Sequence, residues 1–215
     1  MEAQPALGGY PVQFDVAYPD RDLNRLTTFF RILWVIPILI VLGGLGHYWG
    51  SGGGNHGAGY AEAGGGGSVI FFATVLMIVF RRKYPRWWYD WNLEISRFTS
   101  RIGVYLFLMD DTYPSTDEQQ SVRLDFPYPD VERDLNRWLP LVKWFLAIPH
   151  YIVLFFLFIA AIVCAIIAWF AILFTGRYPR GLFDFLVGVG RWGNRVNGYA
   201  FVLITDKYPP FSLSA

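Results

Sequence analysis

Long apolar runs are the first feature of this chain, and their lengths suit segments that lie in a membrane. Residues 32–49 carry no charge apart from His47, and a second apolar run covers 64–80. Later in the chain one apolar run continues without a break over 144–176. Because a helix needs about 20 apolar residues to cross roughly 30 Å of hydrocarbon, we predict an α-helical integral membrane protein.

We predict a transmembrane helical hairpin in each half of the chain, at about 32–80 and about 139–176. In the first hairpin a glycine-rich external loop at 43–67 separates the two arms. In the second half, one helix over the whole run would be about 50 Å long, which is more than a membrane core needs. No Gly or Pro marks a turn in the middle of that run, and the best apex is Ala160–Ala161.

Helical periodicity follows each apolar run. Large apolar residues recur at steps of three and four at Trp88, Trp91, Ile95, Phe98 and Ile102, and again at Leu182, Phe185, Val189, Trp192 and Val196. This spacing places each set on one helical face. We predict amphipathic helices in the membrane interface over about 86–103 and about 180–197. The alternative is a helix packed on a small cytoplasmic β-layer, and both arrangements hold if the helix is sandwiched between layer and membrane.

Short cytoplasmic strands are predicted at both ends of each half. The opening segments alternate apolar and polar residues, with Val12, Phe14, Val16, Val122, Leu124 and Phe126 on the apolar side. Such alternation is typical of half-buried strands. The closing runs 104–109 and 199–204 are rich in β-branched and aromatic residues, which also favours strands. We expect each closing run to pair with the opening strand of its own half.

The same landmarks occur in the same order in 10–115 and 121–211, which predicts two tandem repeats. Each half has Tyr-Pro-Asp, Asp-Leu-Asn-Arg, an apolar segment with Ile-Pro, a basic Tyr-Pro-Arg motif and a closing Tyr-Pro pair. Chance similarity between two apolar segments would not place charged and proline landmarks as well. We interpret the Tyr-Pro pairs as boundaries between elements, since the residue before proline is pushed out of the helical region.

Positive charge predicts the orientation in the membrane. Nearly all 18 Lys and Arg residues lie outside the apolar segments, with Lys143 marginal, and the glycine-rich loop has none. Lys and Arg favour the cytoplasmic side of a membrane. We therefore predict a multi-pass protein of the cytoplasmic (inner) membrane, with both termini in the cytoplasm and the glycine-rich loop outside.

Composition agrees with this class of protein. Hydrophobic residues make up 54% of the chain and charged residues 16%, which is too apolar for an ordinary soluble domain. The net charge of +1 gives no reason to expect a nucleic-acid partner, and we predict none. The single Cys164 cannot form an internal disulfide, and its apolar surroundings indicate a packing role.

Residues with catalytic or metal-binding potential form no recognisable site, so we predict neither an enzyme nor a cofactor. The glycine-rich loop lacks the strand, helix and lysine that a phosphate-binding loop requires. His47, His56 and Glu62 are too widely spaced in that loop to make a good metal site. Asp110 and Asp111 precede a Tyr-Pro turn and are interpreted as turn caps.

His150 is the one titratable side chain near the start of the second apolar run. An ionisable residue within a membrane is a functional hypothesis by default. Because the run contains no acidic partner for it, we predict a packing or interfacial histidine instead.

Two sets of residues are candidates for contact with lipid or with a partner. The basic set flanks the ends of the apolar runs and comprises Arg81, Arg82, Lys83, Arg86, Arg177 and Arg180. These residues would contact anionic headgroups, or would act in topology alone. The aromatic set is predicted to pack at the interface or against a partner and comprises Trp88, Trp91, Phe98, Phe185 and Trp192.

Three stretches carry a resemblance to a known family, and they read LVKWFLAIPHYIVL, WFAILFTGRYPRGLFDF and RVNGYAFVLITDKYPPFSL. They resemble the bacterial membrane-protein family called domain of unknown function 4389. The second half resembles it over nearly its whole length, and the first is a more divergent copy with a glycine insertion. The resemblance implies a bacterial membrane protein, often with duplicated domains, and implies no activity.

The function expected from these patterns is a non-catalytic membrane scaffold or accessory subunit of a larger bacterial membrane complex. Its partners would be the lipid bilayer and other membrane subunits, and a homo-oligomer is compatible with the sequence. The alternative is a membrane-shaping or lipid-organising hairpin protein. A small transporter or channel is less favoured, because no polar stripe lines any apolar run.

Overall fold

The computed structural model describes residues 9–48, 65–116, 118 and 120–214, with the side chains of 43–48 and 65–70 left out. Most of the predicted glycine-rich loop at 43–67, with His56, Glu62 and the side chain of His47, therefore lies outside the described residues. The described part of the chain is mostly helical.

The described elements are two short strands and seven helices. The first half contains β1 (Gln13–Val16), α1 (Arg25–Phe29), α2 (Arg31–Tyr48), α3 (Gly65–Arg81) and α4 (Arg86–Leu106). The second half contains β2 (Val122–Asp125), α5 (Pro140–Leu146), α6 (Ile148–Thr175) and α7 (Arg180–Ala200).

The two opening strands pair with each other rather than with the closing runs. β1 and β2 form an antiparallel sheet in which Phe14 lies opposite Leu124. The strand prediction for 104–109 and 199–204 is wrong, because α4 and α7 continue to Leu106 and Ala200 and irregular turns follow. Burial of the helical faces outweighs the local strand preference of these runs.

The second apolar run does not fold as a hairpin about Ala160–Ala161. Both alanines lie inside α6, a continuous helix of 28 residues. The absence of Gly and Pro from its centre explains this, since nothing interrupts the backbone hydrogen bonds. The break comes earlier, at Ala147, and Pro149 lies in the first turn of α6, where proline is tolerated.

Helices α4 and α7 lie between the sheet and the apolar helices. On one side β2 packs on α4 and β1 packs on α7, so each strand contacts the amphipathic helix of the other half. On the other side α2 packs on α4 and α6 packs on α7. The described structure thus packs these helices on a β-layer, as the alternative arrangement predicted, and their place in the membrane interface stays a prediction.

Two glycines of α7 allow β1 and the residue before it to approach closely. A Cβ atom on Gly198 would lie 2.6 Å from Val12 Cγ2, and one on Gly190 would lie 2.7 Å from Phe14 Cε1. A Cβ atom on Gly193, in the same helix, would meet nothing within 4 Å. Glycine at the first two positions is therefore a packing requirement of the strand–helix contact.

Gly198→Ala is expected to lower the free energy of unfolding by about 1–3 kcal/mol, because the added methyl group overpacks the contact with Val12. Gly193→Ala is the matched control and should gain up to about 1 kcal/mol through helix propensity. Denaturant unfolding in detergent measures both variants. Equal effects of the two substitutions would contradict the close approach of β1 to α7.

Candidate membrane-facing surface and its polar rim

Three apolar helices expose most of their large side chains, and we call this surface the apolar layer. It comprises exposed residues of α2, α5 and α6, among them Ile32, Leu33, Trp34, Ile40, Leu141, Trp144, Phe145, Ile152, Phe155, Phe156, Val163, Ile166 and Phe174. Contiguous exposed apolar patches larger than a few hundred Å² mark interaction or membrane sites. The apolar layer is therefore the candidate functional surface.

Among the described helices, α6 is the one long and apolar enough to cross a membrane. At about 1.5 Å per residue its 28 residues span about 42 Å. The helix does not leave the rest of the protein, because α7 runs antiparallel beside it. Ala147, just before α6, packs with Trp192 and Tyr199 near the end of α7, while Ile172 shares a core cluster with Phe183 near its start.

A buried ion pair fixes the start of this segment. The Lys143 side chain is fully buried, and its ammonium group lies 2.6 Å from Asp206 Oδ1. The same group donates to the Thr205 carbonyl oxygen at 2.7 Å. Asp206 Oδ2 accepts from the Asn136 backbone N–H at 2.5 Å. This one carboxylate therefore links the segment after α7 both to α5 and to the segment before α5.

The first half contains an arrangement of the same kind. Asp111 Oδ1 lies 2.5 Å from Arg31 Nη2, and Asp111 Oδ2 accepts from the Asn24 backbone N–H at 2.6 Å. Arg31 also donates to the Asp110 carbonyl oxygen at 2.9 Å, and its guanidinium lies over the Tyr105 ring. In both halves, an aspartate in the segment after the amphipathic helix thus binds a basic side chain of an apolar helix.

Asp110 acts as the predicted turn cap. Its Oδ1 accepts from the Thr112 backbone N–H at 3.2 Å, and its Oδ2 accepts from the Ser121 hydroxyl at 2.7 Å. Burial raises the pKa of Asp110, but these hydrogen bonds outweigh burial and the pKa lies below its ordinary value. Asp111 supports its turn as well, through the contacts with Asn24 and Arg31 described above.

In each half, an arginine also caps the C-terminal end of an apolar helix of the other half. Arg25 donates to the Phe174 carbonyl oxygen at the end of α6, at 3.5 Å. Arg137 donates to the Val79 carbonyl oxygen near the end of α3, at 2.6 Å. The arginine of the Asp-Leu-Asn-Arg motif therefore has one use in both halves, and sequence reasoning did not identify it.

Tyrosines of the Tyr-Pro pairs form reciprocal hydrogen bonds between the halves. The Tyr18 hydroxyl donates to the Tyr178 carbonyl oxygen, and the Tyr128 hydroxyl donates to the Tyr84 carbonyl oxygen, both at 2.5 Å. Hydroxyls of the inner pair also cross between halves, from Tyr84 to Val202 and from Tyr178 to Phe107. These contacts show why the tyrosine, and not only the proline, recurs at these boundaries.

The basic set divides into three residues at the end of α3 and three residues that contact other parts of the chain. Arg81, Arg82 and Lys83 are exposed at the end of α3, and Arg82 has a positive φ of 49°. The other three are exposed but contact the chain itself. Their contacts are the Arg86 guanidinium over the Tyr128 ring, the Arg180 guanidinium over the Tyr18 ring, and an ion pair of Arg177 with Asp22 at 3.0 Å. Headgroup binding by the set remains a prediction.

The aromatic set is mostly enclosed by the chain. Trp88, Phe98 and Trp192 are buried, whereas Trp91 and Phe185 are half-buried. The Trp88 indole N–H donates to the Thr74 hydroxyl on α3 at 2.9 Å. Packing inside the protein accounts for the three buried residues, and an interfacial or partner-packing role for the set stays a prediction.

His150 is fully buried in an aromatic pocket. The Trp192 indole N–H donates to His150 Nδ1 at 3.0 Å, and the Phe211 ring stacks on the imidazole with centroids 4.0 Å apart. Tyr208 lies against a further side of the ring. These contacts support the predicted packing role.

Two buried arginines of the amphipathic helices bind the segment that follows each helix. Arg101 donates to the Ser115 carbonyl oxygen, and Arg195 donates to the carbonyl oxygens of Ser212 and Ser214. Their neighbours Arg97 and Arg191 bind the strands, through Asp125 and Asp15 respectively. These arginines hold the sheet and the segment after each helix, which no local sequence signal reveals.

No curated protein and no solved structure matches this chain. Residues 138–212 match a family model described as Domain of unknown function (DUF4389), which covers the second half from two residues before α5 to the segment after α7.

Proposed function

We propose that this protein is a non-catalytic membrane scaffold or accessory subunit of a larger bacterial membrane complex. The observation that carries the proposal is the apolar layer, which exposes large side chains on three helices while the exposed face of the sheet is polar. Lipid and the apolar helices of other subunits are the partners such a surface suits. Its aromatic content also suits close protein contacts, since aromatic residues are enriched in interfaces.

We further propose that the two halves are tandem copies embedded in the bacterial cytoplasmic membrane as a multi-pass protein with both termini cytoplasmic. The matching aspartate–cation pairs at Asp111 and Asp206 support the duplication. The Tyr10 hydroxyl donates to the Lys207 carbonyl oxygen, so the two ends of the described chain meet on the sheet side. That contact supports a shared side for both termini.

A second candidate function, organisation or shaping of the lipid bilayer, is favoured by the course of α6. Its first residues lie beside the end of α7, and its last residues return to the polar segment that contains Asp22. Both ends of α6, a long apolar helix, are fixed near the two ends of α7. Such a helix would occupy more of one leaflet than of the other. Charge reversal at Arg97, Arg101, Arg191 and Arg195 would not test this function, because these side chains hold the fold together.

A mild-detergent pull-down of the tagged protein from its native membrane, with mass spectrometry of the recovered proteins, distinguishes these functions. Stoichiometric recovery of a defined set of membrane subunits is the expected result for a scaffold. The protein recovered with itself and lipid would contradict the scaffold role and favour the second candidate. Recovery from the soluble fraction would contradict both.

A further inference from the structure

A large cavity lies between α4 and α7 on the side away from the exposed sheet face. Its volume is about 1160 Å³, and residues of α3 and α6 line it opposite the two amphipathic helices. Pockets that hold drug-sized ligands are typically about 300–1,000 Å³, so this cavity has room for a larger molecule.

The lining residues are apolar apart from an uncharged polar band and the buried hydroxyl of Tyr151. Phenylalanines of β1, α3 and α6 and of the turns after α4 and α7 contribute much of the surface, and none of the described lining side chains is Asp, Glu, Lys, Arg or His. The band lies on α4 and α7 and comprises Asn92, Ser96, Thr99, Ser100, Asn194 and Asn197. Burial of an ion in such surroundings would carry a large desolvation penalty, whereas an uncharged ligand carries none of that size.

The amide groups of the polar band can form further hydrogen bonds to a ligand. Asn92 and Asn194 use one amide N–H each on their own helix, at the carbonyl oxygens of Trp88 and Gly190. Ser100 Oγ lies 3.5 Å from Asn194 Oδ1, which is the outer limit of a hydrogen bond. The rest of these amide groups can meet a hydroxyl, ester or amide of a ligand at the middle of an otherwise apolar space.

The cavity reaches the apolar layer. Trp144 of α5 and Phe155 of α6 line it and are also 50% and 62% exposed, so one side of the cavity borders the surface that we propose meets lipid. A molecule dissolved in the bilayer could therefore enter without crossing water. This continuity favours a lipid over a water-soluble metabolite.

We propose that the cavity between α4 and α7 binds an uncharged lipid, with hydrocarbon chains among the phenylalanines and a hydroxyl or ester group at the asparagine–serine band. The inference goes beyond the scaffold role and depends on it only where the apolar layer meets the bilayer. A peptide segment of a partner would be a different occupant.

Two glycines allow the cavity to be filled without disturbing the protein. Cβ atoms on Gly103 in α4 and on Gly193 in α7 would meet nothing within 4 Å, and both residues line the cavity. Gly181 is equally open but does not line the cavity, so Gly181→Leu is a matched control. Leucine is a better helix former than glycine, so all three substitutions preserve the helices.

The full-length protein in phosphatidylcholine vesicles is photolabelled with a diazirine-bearing diacylglycerol, and the labelled peptides are mapped. Labels are expected in α4 and α7 of the wild type and of Gly181→Leu. Gly103→Leu and Gly193→Leu should each lose at least about tenfold of that labelling, equivalent to about 1.4 kcal/mol of binding. A diazirine-bearing phosphatidylglycerol should label the same peptides much more weakly.

Equal labelling of the leucine variants and Gly181→Leu would overturn the proposal. So would equal labelling by the anionic probe, or labelling by a diazirine alkane as strong as by diacylglycerol, because the polar band would then have no role. Weak labelling of the purified wild type together with a partner peptide cross-linked to α4 or α7 in native membranes would assign the cavity to protein instead. The pull-down of membrane subunits is independent of these outcomes.

Discussion

Asp206→Asn is expected to lower the free energy of unfolding by about 3–5 kcal/mol, because it leaves the Lys143 ammonium group buried without its counter-charge. The substitution also weakens the acceptor for the Asn136 backbone N–H, which fixes the entry to α5. Lys143→Met should be similarly costly, since the carboxylate then loses its cation. Thermal and denaturant unfolding in detergent measure both effects.

The controls use the same chemical changes at exposed positions. Asp20→Asn and Lys207→Met should each change the free energy of unfolding by no more than about 0.5 kcal/mol. The double variant Lys143→Met/Asp206→Asn should recover part of the loss, because no unpaired charge remains buried. Single and double variants of equal stability, all close to the wild type, would contradict a buried ion pair.

The double variant Phe156→Lys/Val163→Lys is expected to lose its place in the membrane while the core stays intact. Both residues lie near the middle of α6 with 64% and 51% exposure, so their side chains point away from the protein. A lysine near the centre of a membrane helix costs about 2.5–3.5 kcal/mol, and two cost about 5–7 kcal/mol. Alkaline carbonate extraction of membranes measures the change.

Gln13→Lys places a positive charge on the exposed face of the sheet and is the control for that experiment. It should remain in the membrane pellet like the wild type, whereas the α6 variant should appear in the soluble or degraded fraction. Retention of the α6 variant in the pellet would indicate that this face meets neither lipid nor an apolar partner.

Patterns of short range predicted much of the fold. The three-and-four spacing of Trp88 and its neighbours marks α4, and the alternation around Phe14 and Leu124 marks the two strands that the structure contains. These patterns succeed because each reports which side of a single element is buried. Pairing of the strands depends on distant segments, and the expectation that 104–109 and 199–204 would supply partners was wrong.

Long-range contacts were the part that sequence reasoning missed. Lys143 was considered a residue at the margin of an apolar run, yet its aspartate lies far along the chain in the segment after α7. The hairpin about Ala160–Ala161 is wrong because the length of an apolar run does not produce a turn where turn residues are missing. The cavity was also out of reach, since Gly103 and Gly193 read as ordinary helix positions until α4 and α7 are placed beside each other.

The exchange of contacts between the halves has a consequence for how this protein can evolve. Because β1 packs on α7 and β2 on α4, neither half has a complete core by itself, and each serves as the folding template of the other. If two identical chains formed this arrangement, every residue would occur at both equivalent positions. Within one chain, corresponding positions of the two halves can hold different residues, as Arg31 and Lys143 do. A single chain can therefore carry specialised residues in one half while the other half maintains the shared architecture.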